Sequence, residues 1–183
     1  MDKFRSTLLD FSFTQSQYDS SLFLRKTSNG VVLLFVYVDD IVITGLDPEL
    51  IKQLQQHLTT SFHMKDLGPL QYFLGLEVQT ISACIFLHQH KYTQELIVLA
   101  GLQEANSVQT PMEVNVLHHN DEGELLVDSS LYRQLVSSLN YLTITRPDLA
   151  FAVQRVSQLM QSPCLPHLAA VQRIIRYLQG TSG

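Results

Sequence analysis

Cysteine is scarce in this sequence: Cys84 and Cys164 are the only two. Two cysteines so far apart make neither a disulfide framework nor a zinc knuckle, and both are expected as reduced, buried thiols. Long apolar runs are lacking too. None approaches the roughly 20 residues that a membrane-spanning helix needs. The longest, Val31 to Val38, has the length of a strand. The opening Met1-Asp2-Lys3-Phe4-Arg5 leads into mixed polar sequence without an apolar signal core. An intracellular protein with no membrane partner is therefore expected. No glycine-rich loop is built to cradle phosphate, and no serine or cysteine has an identifiable base. Charged residues make up only 16% against 45% hydrophobic, which excludes a disordered chain. The 183 residues suffice for one ordinary domain or two small ones.

The formal net charge of -5 argues against a nucleic-acid binder, but the charge is unevenly placed. Glu113, Asp121, Glu122, Glu124 and Asp128 form an acidic stretch with no Lys or Arg. From Ser129 onward come Arg133, Arg146, Arg155, Arg173 and Arg176 against a single acid, Asp148, a local net charge of +4. Such a basic helical end fits either a phosphate backbone or a solvated face.

Leu22 to Lys26 and Val31 to Val38 are β-rich runs around Thr27-Ser28-Asn29-Gly30, a strong hairpin signal. The second run is apolar on both faces and predicts a central strand covered on both sides. Ile41 to Thr44 reads as a third strand, with Asp39 and Asp40 alone as the turn. Asp47 and Pro48 open a helix whose stripe is Leu50, Ile51, Leu54, Leu58 and Phe62. Leu70 to Gln79 and Ala83 to His88 form a further pair of strands, and Lys91 to Ala100 a helix stopped by Gly101. A linker at 107–128 precedes three helical stripes. The first is Leu131, Leu135, Leu139 and Leu142. The second, opened by Pro147, is Leu149, Ala152, Val153, Val156, Leu159 and Met160. The third, opened by Pro166 and closed by Gly180, is Leu168, Val171, Ile175 and Leu178. The order predicts an α+β first half and an all-helical second half.

The unusual feature is the carboxylate pair at a hairpin tip. A two-residue hairpin loop favours Asn-Gly or another glycine pair, and adjacent like charges repel. Mg²⁺ gives a reason for the arrangement, because it takes hard oxygen ligands, usually one or two carboxylates plus substrate phosphates. Two such ions clamp the attacking and leaving oxygens of a phosphoryl transfer. On pattern alone a solvated acidic turn fits equally. His88-Gln89-His90 and His118-His119 pair imidazoles without an evident third ligand, and surface or packing roles are expected for them.

Leu34-Phe35-Val36-Tyr37-Val38-Asp39-Asp40-Ile41-Val42-Ile43-Thr44-Gly45 resembles the Tyr-x-Asp-Asp hairpin of reverse transcriptases of Ty1/copia-type retrotransposons. Phe62-His63-Met64-Lys65-Asp66-Leu67-Gly68 and Leu70-Gln71-Tyr72-Phe73-Leu74-Gly75-Leu76-Glu77-Val78 resemble the segments that follow. Thr110-Pro111-Met112, Leu139-Asn140-Tyr141-Leu142, Thr145-Arg146-Pro147-Asp148 and Tyr177-Leu178-Gln179-Gly180-Thr181 continue in the family's order.

The resemblance implies a polymerase palm at 1–88, incomplete at its start, with a connecting helix at 89–106. An acidic linker at 107–128 and a thumb-like helical region at 129–183 follow. It makes Asp39 the principal Mg²⁺ ligand and Asp40 its less direct companion in a two-metal site. Tyr37 would lie near the primer end, and Phe73-Leu74-Gly75 would form the primer grip. Lys65 would be either a cation near the leaving pyrophosphate or a solvated lysine. The implied partners are a primer–template duplex of RNA and DNA and a deoxynucleoside triphosphate.

The family's site needs another Asp, from an Asp-x-x-x-Ala-Phe-like segment upstream of the hairpin, and nothing in residues 1 to 36 matches it. Asp10 and Asp19 lack the flanking pattern. The nucleotide-gripping fingers are also missing, and the chain stops where the family's ribonuclease H domain would begin. The expectation is a fragment that does not polymerise alone and binds Mg²⁺ weakly, with a complementing upstream segment as a partner. The alternatives are a non-catalytic module that binds nucleic acid or a partner, and an inert remnant. A nucleotide cyclase would need a Gly-Gly-Asp/Glu-Glu-Phe turn, which is absent. The strand bearing the missing Asp should neighbour the central strand, and its absence predicts an open hydrophobic edge and low solubility.

Overall fold

The computed structural model describes residues 2–82, 84–113 and 123–181. His118, His119, Asp121 and Glu122 lie outside the described residues. The chain is mixed α and β with antiparallel sheets, and it divides into two compact units, residues 1–70 and 71–183.

The first unit begins with a helix that the sequence reading omits, α1 (Asp2–Asp10). Phe4, Leu8 and Phe11 recur at helical spacing, and Leu8 is fully buried. Ser12, at φ 60°, ends the helix where glycine is usual. Its N–H bonds the Leu9 carbonyl at 2.9 Å and that of Phe13 bonds the Leu8 carbonyl at 3.0 Å, which satisfies the orphan acceptors.

Four antiparallel strands follow in the order β1 (Thr14–Gln15), β2 (Leu22–Thr27), β3 (Gly30–Tyr37) and β4 (Asp40–Gly45). Helix α2 (Pro48–Phe62) starts as the sequence predicts. The Asp47 carboxylate accepts the Leu50 N–H at 3.1 Å, which holds its carboxyl below the usual range. Leu8, Phe13, Phe23, Val32, Leu34, Leu50, Leu54 and Leu58 form this unit's core.

Strand β3 departs from expectation in two ways. It is covered on one face: Val32 and Leu34 are buried, whereas Leu33 and Phe35 on the other face are half-buried and Val31 is exposed. It also has both its neighbours, β2 and β4, so the open edge falls on β4 instead.

The second unit starts with a three-stranded sheet, β5 (Tyr72–Phe73), β6 (Leu76–Ile81) and β7 (Cys84–His88). The run predicted as one strand from Leu70 to Gln79 is broken at Leu74-Gly75, whose φ angles are both positive. Cys84 is exposed on β7, not buried as expected, while Cys164 is buried, and both thiols are free.

Helices α3 (His90–Leu99), α4 (Ser130–Leu142), α5 (Ala150–Ser157) and α6 (Leu165–Thr181) build the larger core, with a 3₁₀ turn at Pro147–Leu149 before α5. Gly101, at φ 67°, follows the end of α3 as predicted. The α4 stripe buries Leu135, Leu139 and Leu142 as expected, but its first member is the fully buried Tyr132, with Leu131 42% exposed. Burial pushes the Tyr132 hydroxyl up to about 12, and it donates to the Val156 carbonyl at 2.7 Å.

Gly180 does not close α6, which runs through it to Thr181. Its lack of a side chain serves packing: a Cβ there would lie 2.8 Å from that of Ser107. Among the described residues no helix is long and apolar enough to cross a membrane.

Candidate functional site

The β3–β4 hairpin is tightly closed. Tyr37 pairs with Asp40, so the two-residue loop is Val38-Asp39. This corrects the expected turn of Asp39-Asp40: Asp40 is the first residue of β4, and Val38 takes the first turn position. Val38 has φ 51°, left-handed backbone that a β-branched side chain adopts only under strain. The Val38 side chain is 82% exposed, so burial returns nothing for that strain.

The strain predicts its own relief. Val38→Gly should raise the stability of the first unit by about 1 kcal/mol, because the left-handed conformation costs an L-residue about that much more than glycine. Urea unfolding checks this, and a lowered midpoint would mean that the turn stores no strain.

The tip therefore presents two adjacent carboxylates, both exposed, with the Tyr37 ring across the ladder from Asp40. In an antiparallel pair, directly opposed residues share a face, so Tyr37 and Asp40 share one with Phe35 and Val42. Hard oxygen donors suit Mg²⁺, but two carboxylates alone leave most of its shell to water. Among the described residues no group of three or more His, Cys, Asp or Glu is placed to hold a metal ion. Asp10 ends α1 and Asp19 accepts from the Ser21 N–H and hydroxyl, and neither joins the tip carboxylates in such a group.

Lys65 belongs to the same unit and is exposed in the segment after α2. Phe73, Leu74 and Gly75 lie in the second unit. Phe73 pairs with Leu76, leaving Leu74-Gly75 as a second two-residue loop. Positive φ at both positions, 52° and 81°, is the sign pattern of a type I′ turn.

His88 and His90 flank Gln89, which is only 3% exposed. His88 Nδ1 lies 3.1 Å from Glu77 Oε2, which also accepts the Lys91 N–H at 3.1 Å. That N–H, with His88 second, holds the Glu77 carboxyl below its usual range. These residues tie β6 to the start of α3.

The basic helical end is largely engaged within the chain. Arg173 pairs with Glu113 at 2.5 Å, and Arg146 with Asp148 at 2.7 Å. Arg176 donates to the Asn106 carbonyl at 2.7 Å and Arg133 to that of Met160 at 3.1 Å. The charge pattern thus reflects internal pairing more than a free phosphate-binding stripe.

Residues 1–114 match the family described as Reverse transcriptase (RNA-dependent DNA polymerase). The chain belongs to that reverse transcriptase family. It is 41% identical, over 97% of its length, to the Retrovirus-related Pol polyprotein from transposon RE1 of Arabidopsis thaliana, of which it covers 12%. It is 34% identical over 99% of its length to the Retrovirus-related Pol polyprotein from transposon TNT 1-94 of Nicotiana tabacum, of which it covers 14%. An uncharacterized mitochondrial protein of Arabidopsis thaliana is 38% identical over 81% of this chain and 61% of its own length. The chain thus spans about an eighth of the RE1 polyprotein. No solved structure matches. The relatives place this reverse transcriptase segment among the Ty1/copia-type Pol polyproteins, and their similarity extends through the helices beyond residue 114.

Proposed function

We propose that this chain is the later part of a copia-type reverse transcriptase palm with its thumb-like helices. In that reading Asp39 and Asp40 hold Mg²⁺ for nucleotidyl transfer and Tyr37 lies beside the primer end. The observation that carries it is the tip itself: two exposed carboxylates on a hairpin closed through a strained Val38. Sequence chosen for stability alone would place glycine or asparagine there.

When bound, Mg²⁺ would neutralise charge on the reacting phosphate oxygens. The chain's own part is to hold the two carboxylates at a fixed point of a two-stranded ladder. Tyr37 keeps its ring on the Asp40 face of that ladder. The Leu74-Gly75 turn would press on the primer backbone, and Lys65 would offer a cation to the leaving pyrophosphate.

Alone, the chain does not polymerise, because its carboxylates are too few to strip Mg²⁺ of its tightly held water. The free edge of β4 favours a missing strand that carries the third carboxylate. Two packed cores favour a folded fragment over an unfolded remnant.

Primer extension on an RNA template with a deoxynucleoside triphosphate and Mg²⁺ tests this. No product is expected from the chain alone, and product is expected once an upstream palm-and-fingers segment is added. Extension by the chain alone that is lost in Asp39→Asn would overturn the inactivity. Failure of every complemented mixture would remove the polymerase reading.

A further inference from the structure

The Leu74-Gly75 turn has a problem of its own. A type I′ loop prefers Asn-Gly, and leucine in the left-handed region is unfavourable. Leu74 nonetheless sits at φ 52° with its side chain 38% exposed, so its own burial does little to hold it there.

The support comes from helix α4. The Tyr141 hydroxyl donates to the Leu74 carbonyl. Its ring lies along the other turn residue: a Cβ on Gly75 would be 3.2 Å from Tyr141 Cε1 and 3.4 Å from its hydroxyl oxygen. Tyr141 is itself braced by α3, because Tyr92 meets it edge-on with ring centroids 5.2 Å apart and planes at 80°. One tyrosine therefore accounts both for the strained leucine and for the glycine that follows it.

The base of the hairpin is anchored separately. Glu77 on β6 accepts the Lys91 N–H at the start of α3, and Lys91 Nζ lies 5.8 Å from the centre of the Tyr72 ring. The hairpin thus meets α3 at its base and α4 at its tip.

We propose that Tyr141 is the positioning residue of this turn. Its hydroxyl and ring hold Leu74 and Gly75 in left-handed geometry, so that α4 sets where the turn meets a nucleic-acid backbone. This rests on the reading of Phe73-Leu74-Gly75 as a primer grip. Tyr141 acts through the turn.

The test uses the full chain with Tyr141→Phe, which keeps the ring and removes the hydroxyl. Amide hydrogen exchange at Gly75 and Leu76 should quicken about fivefold, the scale of one lost hydrogen bond. Affinity for a fluorescein-labelled DNA primer annealed to an RNA template should fall by about the same factor, with the global unfolding midpoint little moved. Adding Leu74→Asn to Tyr141→Phe gives the preferred Asn-Gly pair and should restore the slow exchange. Tyr132→Phe, which removes a buried hydroxyl elsewhere in the bundle, should lower the midpoint and leave turn exchange unchanged. Unaltered exchange in Tyr141→Phe overturns the positioning role. A wild-type chain that ignores the duplex while Tyr141→Phe still quickens exchange overturns the primer-grip reading on which the proposal rests.

Discussion

Asp39→Asn should lower primer extension about a thousandfold in a polymerase assembled from this chain and a complementing upstream segment. Asparagine has nearly the same shape and serves a turn as well as aspartate does, so the loop should persist while the negative charge is lost. The anionic oxygen is what a hard divalent cation selects. Asp40→Asn should cost less, because Asp40 is the second carboxylate of the pair and its backbone is fixed in the ladder opposite Tyr37. Single-turnover extension at saturating Mg²⁺ checks both variants. Near wild-type extension by the Asp39 variant would mean that the tip carboxylates do not serve the metal.

Gly45→Ala should destabilise the first unit by about 2–4 kcal/mol through strain and overpacking. Gly45 closes the far end of β4, paired with Val32, at φ +156°. An alanine Cβ there would fall 2.5 Å from the Val31 carbonyl oxygen and 2.7 Å from the Val32 Cα, both backbone atoms that cannot rotate away. That same Val31 carbonyl accepts the Leu46 N–H at 3.2 Å, so the clash would also loosen the strand's end. A domain with a total stability of about 5–15 kcal/mol would lose a large share of it. The consequence reaches the site, because slipping β4 by one residue would exchange its two faces and carry Asp40 away from Tyr37. Urea midpoints and amide exchange over β3 and β4 measure the effect. Gly68→Ala is the contrast: its φ is +78°, but its Cβ would meet nothing within 4 Å, so it should be much milder. Equal midpoints for the two variants would refute the steric argument.

What the sequence disclosed follows from how local each signal is. The Asp47 cap, the α2 stripe and the Gly101 stop were legible because each depends on residues within one or two helical turns. The hairpin around Tyr37 to Asp40 was legible because an apolar run breaks at paired acids. The exact turn was not, since reading Asp39-Asp40 as the loop assumes that Val38 stays extended. Only the ladder register decides otherwise, and it puts a valine where its intrinsic preference argues against it. Helix α1 was hidden because its stripe holds only Phe4, Leu8 and Phe11 and its end uses Ser12 in place of glycine. Gly180 misled for the opposite reason: it reads as a helix stop, yet its role is contact with Ser107, a residue distant in sequence. The internal pairing of Arg173 with Glu113 was beyond sequence reasoning for the same cause. Tyr141 appeared in the family resemblance as part of a motif, and nothing near it in sequence pointed to Leu74.

The way the stretch from Gln103 to Glu113 is fastened bears on where this chain can be cut. Gln179 donates to the Gln103 carbonyl at 3.0 Å, Arg176 to that of Asn106, and Arg173 to Thr110 and Glu113. Leu96 and Ile97 of α3 are sealed within the same cluster as α4, α5 and α6. A fragment trimmed at residue 114, where the family match ends, would retain α3 and this stretch but discard the α6 side chains that fasten the stretch and the α4, α5 and α6 core that covers α3, keeping only the Glu77 and Tyr72 contacts at the start of α3. It would expose Leu96 and Ile97 to water, and sticky, aggregating material would then be mistaken for a property of the whole chain.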